Sequence, residues 1–473
     1  MEVNRLKWLK SVKLTSNVFL EIKRKQLAEL ISKNAYLPDQ GTKEWLEVRR
    51  FNIGGSEMSV ITGENGFSNI KKLVATKAGL VHFTGRLATR WGKMFENVTI
   101  LLMENILHVD GKIQETSSLK GAVKHQRYSP DGLAVIKILC GDTIAGEYIE
   151  RYEYLTVLFE FKSPYSSIPN GQIAKYYVPQ VMTGLCSIPI ADLAIFVNNM
   201  YRKCRLQDFN TSNKYDTYFH NKDGGKVEVE EPIALGLIFI YFNPETKKKF
   251  LDAHGPEYSD EPEPEYSDEP EPEYSDEPEF DYDGYVPKTD DQQLIDDLID
   301  IALDKNMKPK DFGTSSYCEF NKLMTLFDEG KLSVHYCNPL VIQENIKKIE
   351  FMKTQHEPKE QDVETDIKEY IKQIKEFGKK EKFIGFIPYK LFKSDMIVKY
   401  RDPDYLKPHE NRISEVIEQV KDIVGEDFND LDSTHTRFRK HFPHKSDWID
   451  REIESTIDTY HMSNSFSDMI PDF

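Results

Sequence analysis

The sequence predicts an α/β (α+β) fold: a mixed β-sheet flanked by helices, with a large acidic-repeat insertion and a helical extension. Three observations carry this expectation. Helix-length amphipathic stretches alternate with strand-length apolar runs up to about residue 205. The pattern turns from helix to short strands over residues 111–162, with turns at Ser129-Pro130-Asp131-Gly132 and Cys140-Gly141-Asp142. Residues 256–279 are three tandem copies of PEYSDEPE.

Taken in order, Ser16 to Ser32 reads as an amphipathic helix with Leu20, Ile22, Leu27, Leu30 and Ile31 as its apolar positions. A short helix over Lys43–Arg50 runs into Gly54-Gly55-Ser56, a tight turn able to start another helix. Residues 87–108 form a long helix that carries Glu96. After the strands of 111–162, Tyr176 to Leu185 is helical, and Ala191 to Val197 (ADLAIFV) is a strand. The apolar run Ile233 to Phe242 suits a buried strand. Beyond the repeat, residues 289–380 are charge-rich and helical, and 383–424 read as strand, turn, strand and helix.

Composition sets the outer limits. At 473 residues, 39% hydrophobic and 12% aromatic, the chain holds two or three domains with a sizeable core. No apolar run approaches the roughly 18 residues that span a bilayer, and the N-terminus lacks a signal-peptide pattern, so a cytoplasmic location and no membrane partner are expected. The five cysteines (140, 186, 204, 318 and 337) have no metal-site spacing, and reduced thiols are expected. Net charge is −17, which looks wrong for a nucleic-acid protein. Residues 256–283, however, hold 14 acidic side chains and no Lys or Arg, which leaves only −3 on the remainder. Local basic patches can still meet a phosphate backbone.

One constellation points to chemistry. In LTVLFEFKSP side chains alternate across a strand, so Leu155, Val157, Phe159 and Phe161 share a core face. Glu160 and Lys162 share the other. A carboxylate and an ammonium two residues apart are what a metal ligand and its water-orienting lysine need. Asp131, at a Pro/Gly turn entering a strand, is placed to face Glu160 across a β-ribbon. Each fragment also has a bland origin: Glu-x-Lys is a common exposed ion pair, and Ser-Pro-Asp-Gly an ordinary turn.

With their flanks, residues 41–205 resemble the lambda-exonuclease, or YqaJ-type viral recombinase, branch of the PD-(D/E)xK nuclease superfamily. Five blocks carry the likeness, beginning with Trp45-Leu46-Glu47-Val48-Arg49 followed by Gly55-Ser56-Glu57. Next come Trp91-Gly92-Lys93-Met94-Phe95-Glu96-Asn97 and Ser129-Pro130-Asp131-Gly132-Leu133. Phe159-Glu160-Phe161-Lys162-Ser163-Pro164 and Tyr176-Tyr177-Val178-Pro179-Gln180-Val181 complete the set. The resemblance implies a restriction-endonuclease-like core. It also implies that Asp131, Glu160 and the Phe161 carbonyl are metal ligands, with Glu96 near a second ion. Lys162 would orient or deprotonate the attacking water, its pKa lowered beside the ions. Gln180 matches the glutamine after the catalytic strand, with Tyr177 as possible support one turn earlier. Arg49 and Ser56 resemble a pocket for a terminal 5′-phosphate, Arg50 being the neighbouring alternative.

The same likeness divides the chain into an N-terminal helical segment (1–40), the nuclease core (41–205), an insertion (206–380), a closing strand and helix (381–424) and an extension (425–473). An independent C-terminal domain is the alternative for the last two. The repeat of residues 256–283 is expected to be disordered, as a spacer, a dock for a basic partner, or a DNA mimic that inhibits in cis. Basic and aromatic clusters at 201–205 and 435–441 are exposed basic faces or nucleic-acid tracks.

The expected activity is 5′→3′ exonucleolysis of linear double-stranded DNA with two Mg²⁺ ions, Mn²⁺ substituting, in viral-type recombination, replication or repair. A single-strand annealing protein is the implied partner, and a homo-oligomer (the family's trimer) is put in doubt by the insert. An endonuclease and a non-catalytic DNA-binding scaffold are the competing readings.

Overall fold

A computed structural model describes residues 16–35, 43–81, 87–144, 147–203, 219–220, 226–227, 231–242, 327, 330–355, 385–425, 430–444 and 447–467. The acidic repeat and most of 289–380 lie outside these residues. Two compact units are present: Met1–Tyr201 with Val341–Asp362 and Leu391–Phe473, and Arg202–Leu340 with Val363–Lys390.

In chain order the elements begin with α1 (Ser16–Asn34), α2 (Lys43–Arg50), β1 (Ile53–Gly54), a 3-10 turn (Gly55–Glu57), α3 (Met58–Ile61), α4 (Ile70–Lys77) and α5 (Leu87–Ile106). There follow β2 (Leu119–Lys120), β3 (Gln126–Tyr128), β4 (Gly132–Ile144), β5 (Glu147–Lys162), α6 (Val178–Ser187) and β6 (Leu193–Lys203). Next are β7 (Phe219–His220), β8 (Lys226–Val227), β9 (Ala234–Phe242), β10 (Leu332–Tyr336), β11 (Leu340–Val341), α7 (Gln343–Ile346) and α8 (Glu350–Lys353). The chain closes with β12 (Gly385–Tyr400), α9 (Glu410–Val424), α10 (Leu431–His441) and α11 (Asp447–Ser467). Among the described residues, no helix is long and apolar enough to cross a membrane.

The first unit is built on a mixed sheet in the order β4-β5-β6-β12. β4 and β5 form a long antiparallel ribbon, from Gly132 opposite Phe159 to Ile144 opposite Glu147. β5 then pairs in parallel with β6, from Val157 beside Leu193 to Lys162 beside Asn198. Helices cover both faces. On one, α1 and α6 pack Leu27, Val181, Met182 and Leu185 against Leu133, Leu158 and Phe196. On the other, α5 stacks Phe95 on Tyr201 at 4.7 Å and hydrogen-bonds Thr99 to the Tyr201 hydroxyl at 3.0 Å. A fold of this α/β type, a mixed sheet between helices, is what the sequence predicts. A second core joins α3 and α4 to α9, α10 and α11 through Met58, Val74, Ile417, Val420, Phe438 and Ile453. In the second unit, β9 pairs antiparallel with β10 from Phe242–Leu332 to Ile238–Tyr336.

Several local expectations are corrected. Cys140-Gly141-Asp142 is not a turn but continues β4, opposite Arg151, Glu150 and Ile149, because in-register pairing along the ribbon overrides turn propensity. Residues 385–400 are one strand, not two, with Ile387, Tyr389, Leu391 and Met396 buried along it. The described part of 289–380 includes the strand β10 and two single-turn helices. Ile22, assigned to the apolar face of α1, is exposed. In the cluster 435–441, Arg437 caps the Ile423 and Val424 carbonyls at the end of α9, and Arg439 pairs with Asp450 at 2.7 Å, so both serve the helical packing.

One side chain closes the entry of β6. Arg401, directly after β12, donates to the carbonyls of Leu185, Ile188, Pro189 and Ala191 at 2.6–3.0 Å, satisfying the exit of α6 and the loop into β6. We expect Arg401→Ala to cost about 1–3 kcal/mol by chemical denaturation, since several carbonyls lose their donor. Arg401→Lys, which keeps charge but not the fork, should recover only part. A loss below ~0.5 kcal/mol for the alanine variant would mean water replaces the guanidinium freely.

Candidate active site

Asp131 sits one step before β4, and the ribbon register (Gly132 opposite Phe159) puts it next to Glu160 and Phe161 on β5. Its Oδ2 accepts the Phe161 amide N–H at 2.8 Å. The strand alternation holds, with one difference: the face carrying Glu160 is not solvated. Leu158, Phe159, Glu160 and Phe161 are all buried, Glu160 at 0% exposure, because α6 and Tyr128 cover what sequence patterning alone would leave open.

A buried carboxylate needs partners. Glu160 Oε1 is ion-paired with Lys162 Nζ, and Oε2 accepts from the Tyr128 hydroxyl at 2.8 Å. Lys162 Nζ also donates to the Phe161 carbonyl at 2.9 Å and lies 3.5 Å from Asp131 Oδ2. The ammonium therefore stands at the convergence of the three oxygens assigned to a metal ion. As a stand-in cation it tests the fit: all three donors are hard oxygens, two of them carboxylate, as Mg²⁺ or Mn²⁺ prefers. Among the described residues, no three His, Cys, Asp or Glu side chains form an ion-binding group by themselves. Here the third oxygen is a main-chain carbonyl.

Electrostatics point the same way. Burial, then repulsion from Asp131, pushes Glu96 on α5 and Glu160 well above the usual carboxylate range, against the pull of Lys162. Glu115, near Asp131, is raised by partial desolvation and by that same charge. Asp131, Glu160, Glu96 and Glu115 thus crowd around one ammonium, that of Lys162. Burial lowers the Lys162 pKa, but Glu160 and Asp131 more than offset it, and the net direction is upward. Tyr177 is raised to about 12, chiefly by burial, and Lys162 Nζ lies 5.3 Å from its ring centroid.

Arg49 and Ser56 meet at the end of α2. Arg49 Nη2 is 3.5 Å from Ser56 Oγ and 3.1 Å from Glu57 Oε1, with its guanidinium 4.5 Å from the Trp45 ring centroid. A Cβ on Gly54 would lie 2.8 Å from Arg49 Nη2, so glycine there makes room for the guanidinium. Beneath, Glu57 pairs with the buried Lys77 at 2.8 Å and accepts the Gly54 N–H at 2.7 Å. Burial raises the Glu57 pKa, but Lys77 and Arg49 pull it below the ordinary value. Ser56 is exposed, and the neighbouring Gly55 is buried near Gln180, whose Cγ is 3.7 Å from the position of a Gly55 Cβ.

Tyr128 carries no motif signal, and sequence reasoning misses it. It is 1% exposed, on β3, and β3 pairs in parallel with β1 at Ile53–Gly54. A Cβ on Gly55 or on Gly184 would come within 2.5 Å of its ring, so two glycines clear its slot. Its one signal is the pair of small residues facing one another from the 3-10 turn and α6. Tyr128→Phe should keep the packing but leave Glu160 Oε2 without its donor, costing about 1–3 kcal/mol by denaturant titration. Gly184→Ala, which forces the ring to shift, should cost more. Stability unchanged in Tyr128→Phe would show that the hydroxyl does not hold Glu160.

Comparison with known proteins agrees with the family resemblance. Residues 44–187 match the YqaJ-like viral recombinase domain. A protein of African swine fever virus (strain Badajoz 1971 Vero-adapted) is 29% identical over 222 residues, which is 43% of this chain and 60% of the relative. Its counterpart from isolate Tick/Malawi/Lil 20-1/1983 is 28% identical over 224 residues, with the same coverage. The chain therefore spans 60% of the length of the curated relatives it matches. Two crystal structures of LHK-Exo, one in complex with dAMP and one described as an alkaline exonuclease from Laribacter hongkongensis, align at 17% identity. They cover 33% of this chain and 73% of theirs, with TM-scores of 0.24 and 0.23. Over residues 44–187 the chain is thus similar to the YqaJ-like viral recombinase domain.

Proposed function

We propose that the chain is a divalent-metal-dependent deoxyribonuclease that degrades linear double-stranded DNA from a 5′-phosphate end in the 5′→3′ direction, in viral-type recombination, replication or repair. The observation that carries this reading is the cation position between Asp131 Oδ2, Glu160 Oε1 and the Phe161 carbonyl, held by Lys162 Nζ. The recombinase-domain match supports the reaction class.

Asp131, Glu160 and the Phe161 carbonyl would hold one Mg²⁺, with Glu96 beside a second. Bound there, the ions would stabilise phosphoryl charge and supply an acidified water. Lys162, moved off the three oxygens, would stay tethered within two residues of Glu160 and present its ammonium to the attacking water or the phosphate. Tyr177, against which Lys162 rests, limits where that ammonium can go. Tyr128 fixes the second oxygen of Glu160, so the carboxylate keeps one orientation as its cation changes. Arg49, with its plane set by Trp45 and Glu57, and Ser56 would grip a terminal phosphate, and Gln180 lies beside that turn. An end held there feeds the chain toward the carboxylates one terminus at a time. The repeat of 256–283 acts as a spacer in this reading, and an annealing protein and a homo-oligomer would be later partners.

The test uses purified protein, Mg²⁺ or Mn²⁺, and end-labelled linear duplex with either 5′-phosphate or 5′-hydroxyl, beside closed circular duplex. Linear DNA should be shortened from its 5′ ends and circles left intact. Glu160→Gln and Asp131→Asn should each reduce the rate roughly 100-fold or more, the scale on which one group aimed at developing charge acts. Arg49→Lys, which loses the planar fork, should erase about tenfold of the preference for a 5′-phosphate. Cutting of closed circles would favour an endonuclease, and no cleavage with either ion a DNA-binding scaffold. Separately, saturating Mn²⁺ should stabilise the wild type by about 2–3 kcal/mol at 100 times its Kd, and Asp131→Asn should lose that gain.

A further inference from the structure

An aromatic row runs from the candidate site to the surface. Phe196, buried on β6, is 5.6 Å from Tyr177, and Tyr177 is 4.4 Å from Tyr176. Tyr176 in turn meets Phe67 at 5.4 Å and 86°. Lys162 Nζ rests on the Tyr177 ring, so the row starts at the candidate catalytic lysine. Its outer member, Phe67, is 74% exposed.

The exposure of Phe67 is built. Its loop is fastened to α3: the Glu64 and Asn65 N–H groups both donate to the Ser59 carbonyl, at 2.9 and 3.0 Å. Asn65 Nδ2 donates to Ser59 Oγ at 2.8 Å, and Asn65 Oδ1 accepts the Phe67 N–H at 2.8 Å. A loop this anchored has little backbone freedom to lose on binding. The edge contact with Tyr176 leaves most of it bare.

We propose that Phe67 and Tyr176 form a stacking platform for an unpaired nucleobase of the DNA strand whose backbone enters the Asp131–Glu160–Lys162 site. This rests on the nuclease reading above. A protein partner would need a contiguous apolar patch of several hundred Å², whereas one base needs one ring. Continuity with Lys162 through Tyr177 ties the platform to the strand being processed. The exposed Lys175, next to Tyr176, sets a cation beside it for the backbone. A duplex end entering the site would thus have one base drawn from its stack onto Phe67.

The experiment uses the full chain with Ca²⁺ replacing Mg²⁺ for binding, and a 5′-phosphorylated duplex with 2-aminopurine at one of its first unpaired overhang positions. Stacking should quench the 2-aminopurine fluorescence on binding. Phe67→Ala should lose the quench, weaken binding tenfold or more, and with Mg²⁺ raise KM more than it lowers kcat. Phe67→Trp should restore both binding and quench, and Phe67→Leu, apolar but without a π-face, should not. If Phe67→Ala binds and quenches like the wild type while the protein still cleaves DNA, the platform is wrong and the nuclease reading stands. Full rescue by leucine would equally overturn stacking. A wild type that binds no DNA at all would overturn the nuclease reading itself.

Discussion

Placing an ionisable carboxylate at 0% exposure in the middle of a sheet is costly, and the Glu160 environment is organised around offsetting that cost. β5 is covered on both faces, by α5 on one and by α1 and α6 on the other, so no water reaches either oxygen of Glu160 directly. Lys162 supplies a charge from two residues away, Tyr128 a neutral donor from another strand, and the Phe161 backbone an amide that turns Asp131 inward. Each of these groups is fixed by main-chain geometry. Lys162 follows from strand periodicity, Asp131 from ribbon register, and Tyr128 from the parallel pairing of β3 with β1.

Charge balance at this point is left incomplete by the same fold. Asp131 and Glu160 face one ammonium, and Glu96 and Glu115 add field without adding a cation. Burial first, and then that crowding, raises Glu96 and Glu160, and protons or a multivalent ion would relieve it. Under the proposed function a divalent ion would do so where the oxygens already converge. Bound there, it would release Lys162 from neutralising Glu160, making an ammonium available inside the pocket.

The fold class was legible because it depends on pattern: most helix and strand periods between residues 43 and 200 are readable, and the mixed sheet follows from them. Asp131, Glu160 and Lys162 were legible for the same reason, being related by strand alternation and a hairpin. Three things were not legible. The burial of Glu160 depends on which helix lies over β5, which period-two patterning does not encode. Tyr128 depends on two glycines, Gly55 and Gly184, that are distant in sequence and meet only across the ring. The lengths of β4 and β12 depend on pairing partners, and turn-prone triplets such as Cys140-Gly141-Asp142 yield to a neighbouring strand in register.

Tyr128 also joins the turn that carries Ser56 to the Glu160 carboxylate. Its ring fills the space over Gly55, which lies between Gly54, the residue that clears Arg49, and Ser56. Its hydroxyl holds Glu160. Gln180, one turn before Gly184 on α6, lies beside the same Gly55. The turn that carries Ser56 and the Glu160 carboxylate are therefore both in reach of one side chain, with a rigid aromatic ring between them.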